Sequence, residues 1–417
     1  MTAASGGTSV VGGVRTTVPR RALEQRLRVA NVITRLSAGA GGITLRGALA
    51  LDPDRYETTI LAAENGTLLD RAEEAGLEVV RLRHMEIGRG IYPWADSRTY
   101  KELASQLAAG RFDIVHTHSA KAGGIGRLAA RRVGVPTIVH SFHGFPFHEF
   151  QSPVVRLGLR AAERRLARIT DYFLTDGTVV AAEAVRLGIA PPERIRAIAS
   201  PVDEIPLASE ATRREARRLL GVPVDAKVVG TAGRLEGQKA PLDMVKALAS
   251  IGRRDIYVAW AGEGPLRAKV ERLIARHGLQ DRFLLLGERR DVPMLLPGFD
   301  VFAMSSLFEG LPCAVVEAMT CGVPVVATAV NSVPEIVISG KTGMVVKPGD
   351  AASLGRALEY VLDHPGEAAR MADAARAHIG SRFRPEVLGQ DLDEAYQIAV
   401  RISAAPVMST AAAMAAS

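Results

Sequence analysis

The sequence predicts an α/β chain of two doubly wound, Rossmann-like parallel-sheet domains facing one another across a cleft. Three observations carry that expectation. Apolar, β-rich runs of strand length recur along the chain, Ala- and Leu-rich helical patterns separate most of them, and the alternation restarts near residue 225. Strand and helix alternating at this pitch make βαβ units, whose parallel sheets are covered on both faces. The 417 residues leave room for about two to three ordinary domains.

In order along the chain, residues 1–25 hold paired glycines and Arg15, Arg20 and Arg21 but no apolar run fit for a signal-peptide core, and are expected to be a disordered lead-in. A first domain over 26–204 takes strands at 27–34, 58–62, 78–82, 113–117, 137–141, 171–175 and 195–200. Helical patterns at 100–109 and 122–132 lie between them. A polar linker with Pro201, Pro206 and Pro223 leads into a second domain over 205–384. Its strands fall at 227–232, 256–261, 282–287, 299–305, 323–328 and 344–347, with a helix at 266–277. A last helical pattern at 385–404 has the length to pack back on the first domain, and 405–417 reads as a loose tail. Open α/β sheets bind ligands beyond the carboxyl ends of their strands, so two facing domains make a cleft.

Composition narrows the function classes. A hydrophobic share of 47% with 23% charged residues is ordinary globular make-up. The two cysteines, Cys313 and Cys321, exclude a disulfide framework and a Cys-based zinc cluster, and suit a reducing, cytoplasmic setting. No run reaches the roughly 18 apolar residues of a membrane span. The net charge is +7, and residues 1–200 carry 27 Lys+Arg against 19 Asp+Glu, so the basic excess belongs to the first half. An anionic partner there is implied: nucleic acid, membrane surface or phosphorylated ligand.

The second half carries the sharper motifs. In Gly230–Ala240, GTAGRLEGQKA, a strand ends at Gly233 and is followed by Arg234 and by Lys239 at a helix start. Two cations and helix-start amides suit a diphosphate; a solvated basic loop is the alternative. Next comes Glu309-Gly310-Leu311-Pro312, with Glu317 about two turns into a helix over 314–319. Carboxylates accept paired hydroxyl hydrogen bonds, which suits vicinal sugar hydroxyls. Glu78 and Glu86 share the same eight-residue spacing, so spacing alone says nothing. What counts is the order of these groups on successive strand ends.

In the first half, the glycine-rich turn Gly39–Thr44 follows the first strand and lets backbone approach a ligand. His116 and His118 would share a strand face if the strand ran on, but it is expected to end at Thr117, and without a third ligand they make a poor metal pair. At least one of them reads as a hydrogen-bonded structural histidine. His143, in Ser141-Phe142-His143-Gly144, stands just past a strand end and can point into the cleft or cap the strand. Arg156, Arg160, Arg164 and Arg168 recur at helical spacing, as a solvated face or a surface for anionic lipid headgroups.

The second-half motifs resemble the family 4 glycosyltransferases of GT-B fold. They are Gly233-Arg234-Leu235 with Gln238-Lys239, Gly262-Glu263-Gly264-Pro265-Leu266, Glu309-Gly310-Leu311-Pro312 through Glu317-Ala318-Met319, Gly322–Thr328, Pro334-Glu335 and Thr342-Gly343. The match extends over roughly residues 27–400, and the first half is similar to members that assemble surface polysaccharide on lipid carriers. The resemblance implies a retaining, metal-independent hexosyltransferase whose second domain binds a nucleotide diphosphate sugar, UDP- or GDP-linked. Arg234 and Lys239 would then hold the donor diphosphate, Glu309 with Gly310 and Leu311 the transferred sugar, and Glu317 the ribose. Gly42 would lie beside the donor phosphates and His143 at the reacting sugar. The acceptor would be a glycan or lipid-linked sugar, with the enzyme peripheral on the inner membrane face and no nucleic acid bound. A GT-B nucleotide-sugar epimerase and a non-catalytic partner subunit are the rivals. Both Asp-x-Asp matches, Asp52/Asp54 and Asp391/Asp393, fall outside any expected metal-nucleotide site.

Three departures from the family pattern stand out. Ser200-Pro201 replaces Asn-Gly before Val202-Asp203, Ala240 replaces a glycine after Lys239, and Asn331-Ser332-Val333 replaces the Gly-Gly before Pro334-Glu335.

Overall fold

The computed structural model describes residues 26–37, 39–85 and 92–405. The expected lead-in at 1–25 and residues 406–417 of the expected tail lie outside the described residues.

Thirteen parallel strands form two sheets among the described residues. The first sheet comprises β1 (Leu27–Ile33), β2 (Tyr56–Ala63), β3 (Glu78–Leu82), β4 (Ile114–His118), β5 (Thr137–Phe142), β6 (Tyr172–Thr175) and β7 (Ile195–Ala197), ordered 3-2-1-4-5-6-7. The second comprises β8 (Lys227–Ala232), β9 (Ile256–Ala261), β10 (Phe283–Leu285), β11 (Val301–Met304), β12 (Val325–Thr328) and β13 (Met344–Val346), ordered 10-9-8-11-12-13. Both orders reverse beside the first strand of the sheet, at β1/β4 and at β8/β11, and it is outside such points that doubly wound sheets take ligands. Central strands such as β4, β5, β11 and β12 are buried along their whole length, as helices on both faces require.

The final helix, Pro385–Ala404, packs on the first sheet. Leu388, Leu392, Ala395, Tyr396 and Ala399 join Val29, Ile114, Val139 and Leu174 in one core. Ionic contacts fix its outer side: Arg55 to Asp393 at 2.6 Å, and Arg196 to Asp391 and Glu394 at 2.7 and 2.6 Å. The Asp391/Asp393 pair is thus spent on arginines, while Asp52 accepts from the Asp54 amide in a turn.

β4 runs one residue beyond its expected end, which corrects the reading of the two histidines. His118 lies within the strand, so His116 and His118 do share a face, their ring centroids 4.1 Å apart.

Two departures from the family pattern fall on left-handed backbone, where the missing Cβ of glycine matters. Ala240 has φ 45° and Asn331 φ 43°. Asparagine tolerates that region, whereas alanine crowds its own carbonyl there, at a cost of about 1 kcal/mol or more. Ala240→Gly should therefore raise stability by ~0.5–1 kcal/mol, after allowance for the greater freedom of glycine in the unfolded chain. Urea unfolding of the two proteins checks this; an unchanged or lower midpoint would contradict it.

Candidate functional site

The carboxyl ends of the two sheets face one cleft of ≈ 2120 Å³. The residues expected at the donor and the reacting sugar line it: Gly42 and His143 from the first domain, and Arg234, Lys239, Glu309, Gly310, Leu311 and Glu317 from the second.

Lys239 and Glu309 come together directly. The ammonium lies 2.6 Å from Glu309 Oε1, and Gln238 Nε2 donates to Glu309 Oε2 at 3.2 Å. The loops that carry them are tied by the Leu307 amide donating to the Gln238 carbonyl at 2.7 Å and by Ser305 Oγ donating to the Lys239 carbonyl at 2.8 Å. Glu309 is 7% exposed, so the pair holds two charges in a poorly hydrated place. Such a lysine already has a partner and can share its protons with an incoming anion without first being dehydrated. Arg234 differs: its side chain is 59% exposed, and its nearest carboxylate, Glu236, stands 3.7 Å away. It lines the cleft as a largely exposed cation. Behind it, Gly262 (φ 145°) permits a contact that any Cβ would block, since that atom would stand 2.0 Å from the Gly233 carbonyl oxygen.

Glu317 lies deeper, on the helix Cys313–Cys321. Burial raises its pKa, and the Arg46 guanidinium partly offsets that. Arg46 also reaches Cys313 Sγ at 3.8 Å and Asp203 at 3.8 Å. Burial pushes the Cys313 thiol up to about 12, so it is no nucleophile at neutral pH.

On the opposite wall, Gly42 belongs to a helix rather than to the expected loop. The helix Ala40–Ala50 begins within the glycine run, and a Cβ on Gly42 would meet the Arg46 guanidinium at 3.2 Å. His143 follows β5 directly. Its Nδ1 donates to Asp176 at 3.0 Å, and its Nε2 lies 3.0 Å from Nδ1 of His118. His118 Nε2 in turn stands 3.1 Å from the Asn31 side-chain oxygen. The row Asp176–His143–His118–Asn31 has two proton arrangements. In one, His143 Nε2 donates to His118 Nδ1 and His118 Nε2 donates to Asn31 Oδ1; in the other, His118 Nδ1 donates back to His143 Nε2 and the amide must present its NH₂ to His118 Nε2. His143 also borders a second cavity of ≈ 30 Å³, large enough for one water. His116 is structural: its two nitrogens bond Tyr396 Oη at 2.8 Å and Ser141 Oγ at 2.7 Å.

The two walls touch at the site. A Cβ on Gly310 would stand 3.0 Å from the His143 carbonyl, and one on Gly144 (φ 101°) would stand 3.3 Å from the Gly310 amide nitrogen. Bare backbone on both sides thus lets His143 and Glu309 approach. Nearby, Glu335 crosses between the domains and accepts the Thr178 and Val179 amides at 3.0 and 2.8 Å, capping the helix Thr178–Arg186. Burial alone would raise its pKa; those amides bring it below the usual carboxylate range.

The sequence reading missed Asp176, Arg46 and Asn331. Asp176 carried a usable signal, an acid immediately after β6. Asn331 accepts the Glu309 amide at 3.0 Å and so orients that loop, a role hidden in what read only as a lost glycine pair.

The arginine row does not form one face. Four residues of an α-helix advance about 400°, so the row turns by about 40° at each step and its ends diverge by about 120°. On the helix Pro153–Ala167, Arg156 and Arg160 line the cleft. Arg164 donates to the Leu187 carbonyl at 2.7 Å, and Arg168 is exposed. Among the described residues no helix is long and apolar enough to cross a membrane, and no three His, Cys, Asp or Glu side chains converge as metal ligands.

Comparison with known proteins gives the same picture. Residues 38–201 match the glycosyl transferase 4-like domain model, and residues 212–378 match that of glycosyl transferases group 1. The chain is 32% identical to a D-inositol 3-phosphate glycosyltransferase of Saccharomonospora viridis, over 66% of this chain and 71% of that one. It is 28% identical to the Escherichia coli UDP-Gal:alpha-D-GlcNAc-diphosphoundecaprenol alpha-1,3-galactosyltransferase, over 82% of this chain and 90% of that one. In fold it is similar to Anabaena HepE, solved with UDP and glucose, with a TM-score of 0.77 at 21% identity, covering 89% of this chain and 100% of that one.

Proposed function

The chain belongs to the family 4 glycosyltransferases of GT-B fold, and from that premise we propose that it moves a hexosyl group from a nucleotide diphosphate sugar to a hydroxyl of a lipid-linked sugar or glycan, with retention and without a metal. The observation that carries this reading is the Lys239–Glu309 pair seated where the Glu309-Gly310 and His143-Gly144 backbones meet. In this reading the donor diphosphate lies against Lys239, Arg234 and the Gly42 helix start. Their charge stabilises the diphosphate as it leaves, a term that grows in the transition state. Glu309, paired with Lys239, orients the sugar hydroxyls, and Glu317 takes the ribose. His143, held by Asp176, positions the sugar.

Retention by front-side attack is favoured because the two carboxylates nearest the meeting of the walls are engaged among the described residues: Glu309 is bound to Lys239 and Gln238, and Asp176 to His143. A UDP-linked donor is favoured by the UDP bound in HepE, and a diphosphate-lipid acceptor by the substrate of the E. coli relative. The helix Pro153–Ala167 exposes Val154 and Leu157 beside Arg165 and Arg168, a surface suited to a peripheral place at a membrane.

The test begins with thermal shift against UDP-, GDP-, ADP- and TDP-sugars. The stabilising sugar is then transferred, in EDTA, to a synthetic prenyl-diphosphate-linked N-acetylglucosamine, and the anomeric proton of the product is read by NMR. One donor class should raise Tm, and the product should keep the donor's anomeric configuration. Epimerised donor without acceptor, or no stabilisation by any donor, would refute the reading.

A further inference from the structure

The cleft wall of the first domain carries cations that the donor site does not use. Arg156 and Arg160 stand one helical turn apart on the helix Pro153–Ala167, both half-buried and both lining the cleft. Neither has a carboxylate partner among the described residues. Arg160 stacks its guanidinium over the Phe147 ring at 5.3 Å, and its buried Nε has no hydrogen-bond acceptor. The nearest acid on their own helix, Glu163, is bound to Arg127 at 2.8 Å. Arg28, Arg46 and Arg196, also half-buried in this domain, are matched with Glu57, Asp203 and Asp391, whereas Arg35, which lines the cleft too, has a buried Nε without a partner. Two like charges at i and i+4 destabilise a helix, and desolvating them raises the cost. Such a pair marks a place built for an anion that arrives from outside.

The surroundings say which anion. Phe147, Phe150, Leu128 and Val155 also line the cleft, Phe147 beneath the Arg160 guanidinium, and Phe150 and Leu128 are 52% and 50% exposed. Beyond them the helix turns its apolar Val154 and Leu157 to solvent. Paired guanidiniums beside an apolar shelf that opens outward fit an amphiphile whose charged group is followed at once by hydrocarbon. We propose that Arg156 and Arg160 form the subsite for the diphosphate of a prenyl-linked acceptor, the hydrocarbon leaving over Phe150 and Leu128. This rests on the acceptor class proposed above and assigns its head group to two residues. It also removes these two arginines from the membrane-surface role that the sequence suggested for the whole row.

The test uses farnesyl diphosphate as a soluble probe, titrated into enzyme saturated with UDP so that the donor diphosphate position is filled. The wild type should bind it, and the Arg156→Gln/Arg160→Gln double variant should bind at least tenfold more weakly while keeping its Tm and its UDP affinity. A parallel arm measures binding to phosphatidylglycerol vesicles free of diphosphate lipid, which the double variant should leave unchanged. Failure of the wild type to bind the probe, equal binding by both proteins, or loss confined to the vesicle arm would each overturn the assignment. The readout is binding, so it is independent of whether sugar transfer itself has been identified correctly. Should the double variant fail to fold, Arg160→Lys, which keeps charge but not the paired fork, is expected to weaken the probe alone.

Discussion

Lys239→Ala should lower kcat at saturating donor by ~10²–10³, the usual loss when one group that stabilises leaving-group charge is removed. Saturation matters, because a residue that bound donor and transition state equally would change KM alone. The substitution also leaves the Glu309 carboxylate, 7% exposed, with Gln238 as its remaining side-chain partner, so a fall in stability accompanies the fall in rate. Glu309→Gln separates the two effects. It removes the buried charge and should restore Tm to the Lys239→Ala background without restoring turnover. An unchanged kcat in Lys239→Ala would remove this lysine from the chemistry.

Acid should destabilise the fold steeply. His116, His118 and His140 are all buried beneath the first-domain site. Burial lowers each pKa, that of His116 to about 3 and those of the other two well below the ordinary value. A histidine kept neutral in the fold takes up its proton near pH 6.5 once unfolded, so the unfolded chain binds more protons below that pH. The stability these groups contribute is intact above about pH 6.5 and drains away as pH falls toward the depressed native values. Three such groups give a loss of roughly 4 kcal/mol between pH 8 and pH 5.5. Urea unfolding across that range measures it, and His116→Asn should remove about a third of the drop. A flat profile would mean that the rings are charged in the native protein or reach water.

Much of the fold was readable because its signals are local. Each strand is a short apolar run that must be covered on both faces, and each of the thirteen falls within a few residues of its expected place. The errors came from boundaries: β4 extends through His118, and the Gly39–Thr44 run starts a helix, since glycines there face Arg46 and the neighbouring turn instead of an open loop. The second-domain site was legible because its residues lie in contiguous motifs on consecutive strand ends. The first-domain site was legible only at Gly42 and His143, because Asp176, His118 and Asn31 come together only through sheet order, with β6, β4 and β1 linking positions as far apart as 31 and 176 in one row. The arginine row misled for a related reason: a spacing of four reads as one face in sequence but drifts around the helix in space.

The last helix carries a consequence for how the protein is made. Leu392 and Tyr396 complete the core beneath β1 and β5, and Tyr396 holds His116 in place. As the ribosome delivers the chain from its amino end, the first lobe must wait, its floor missing, while the whole second lobe is synthesised and folds. The nascent first sheet therefore offers a solvent-facing apolar underside for the last half of translation, a natural claim on chaperones. Any fusion or truncation placed near residue 385 would be felt first not at the adjoining lobe but at the histidines of the other.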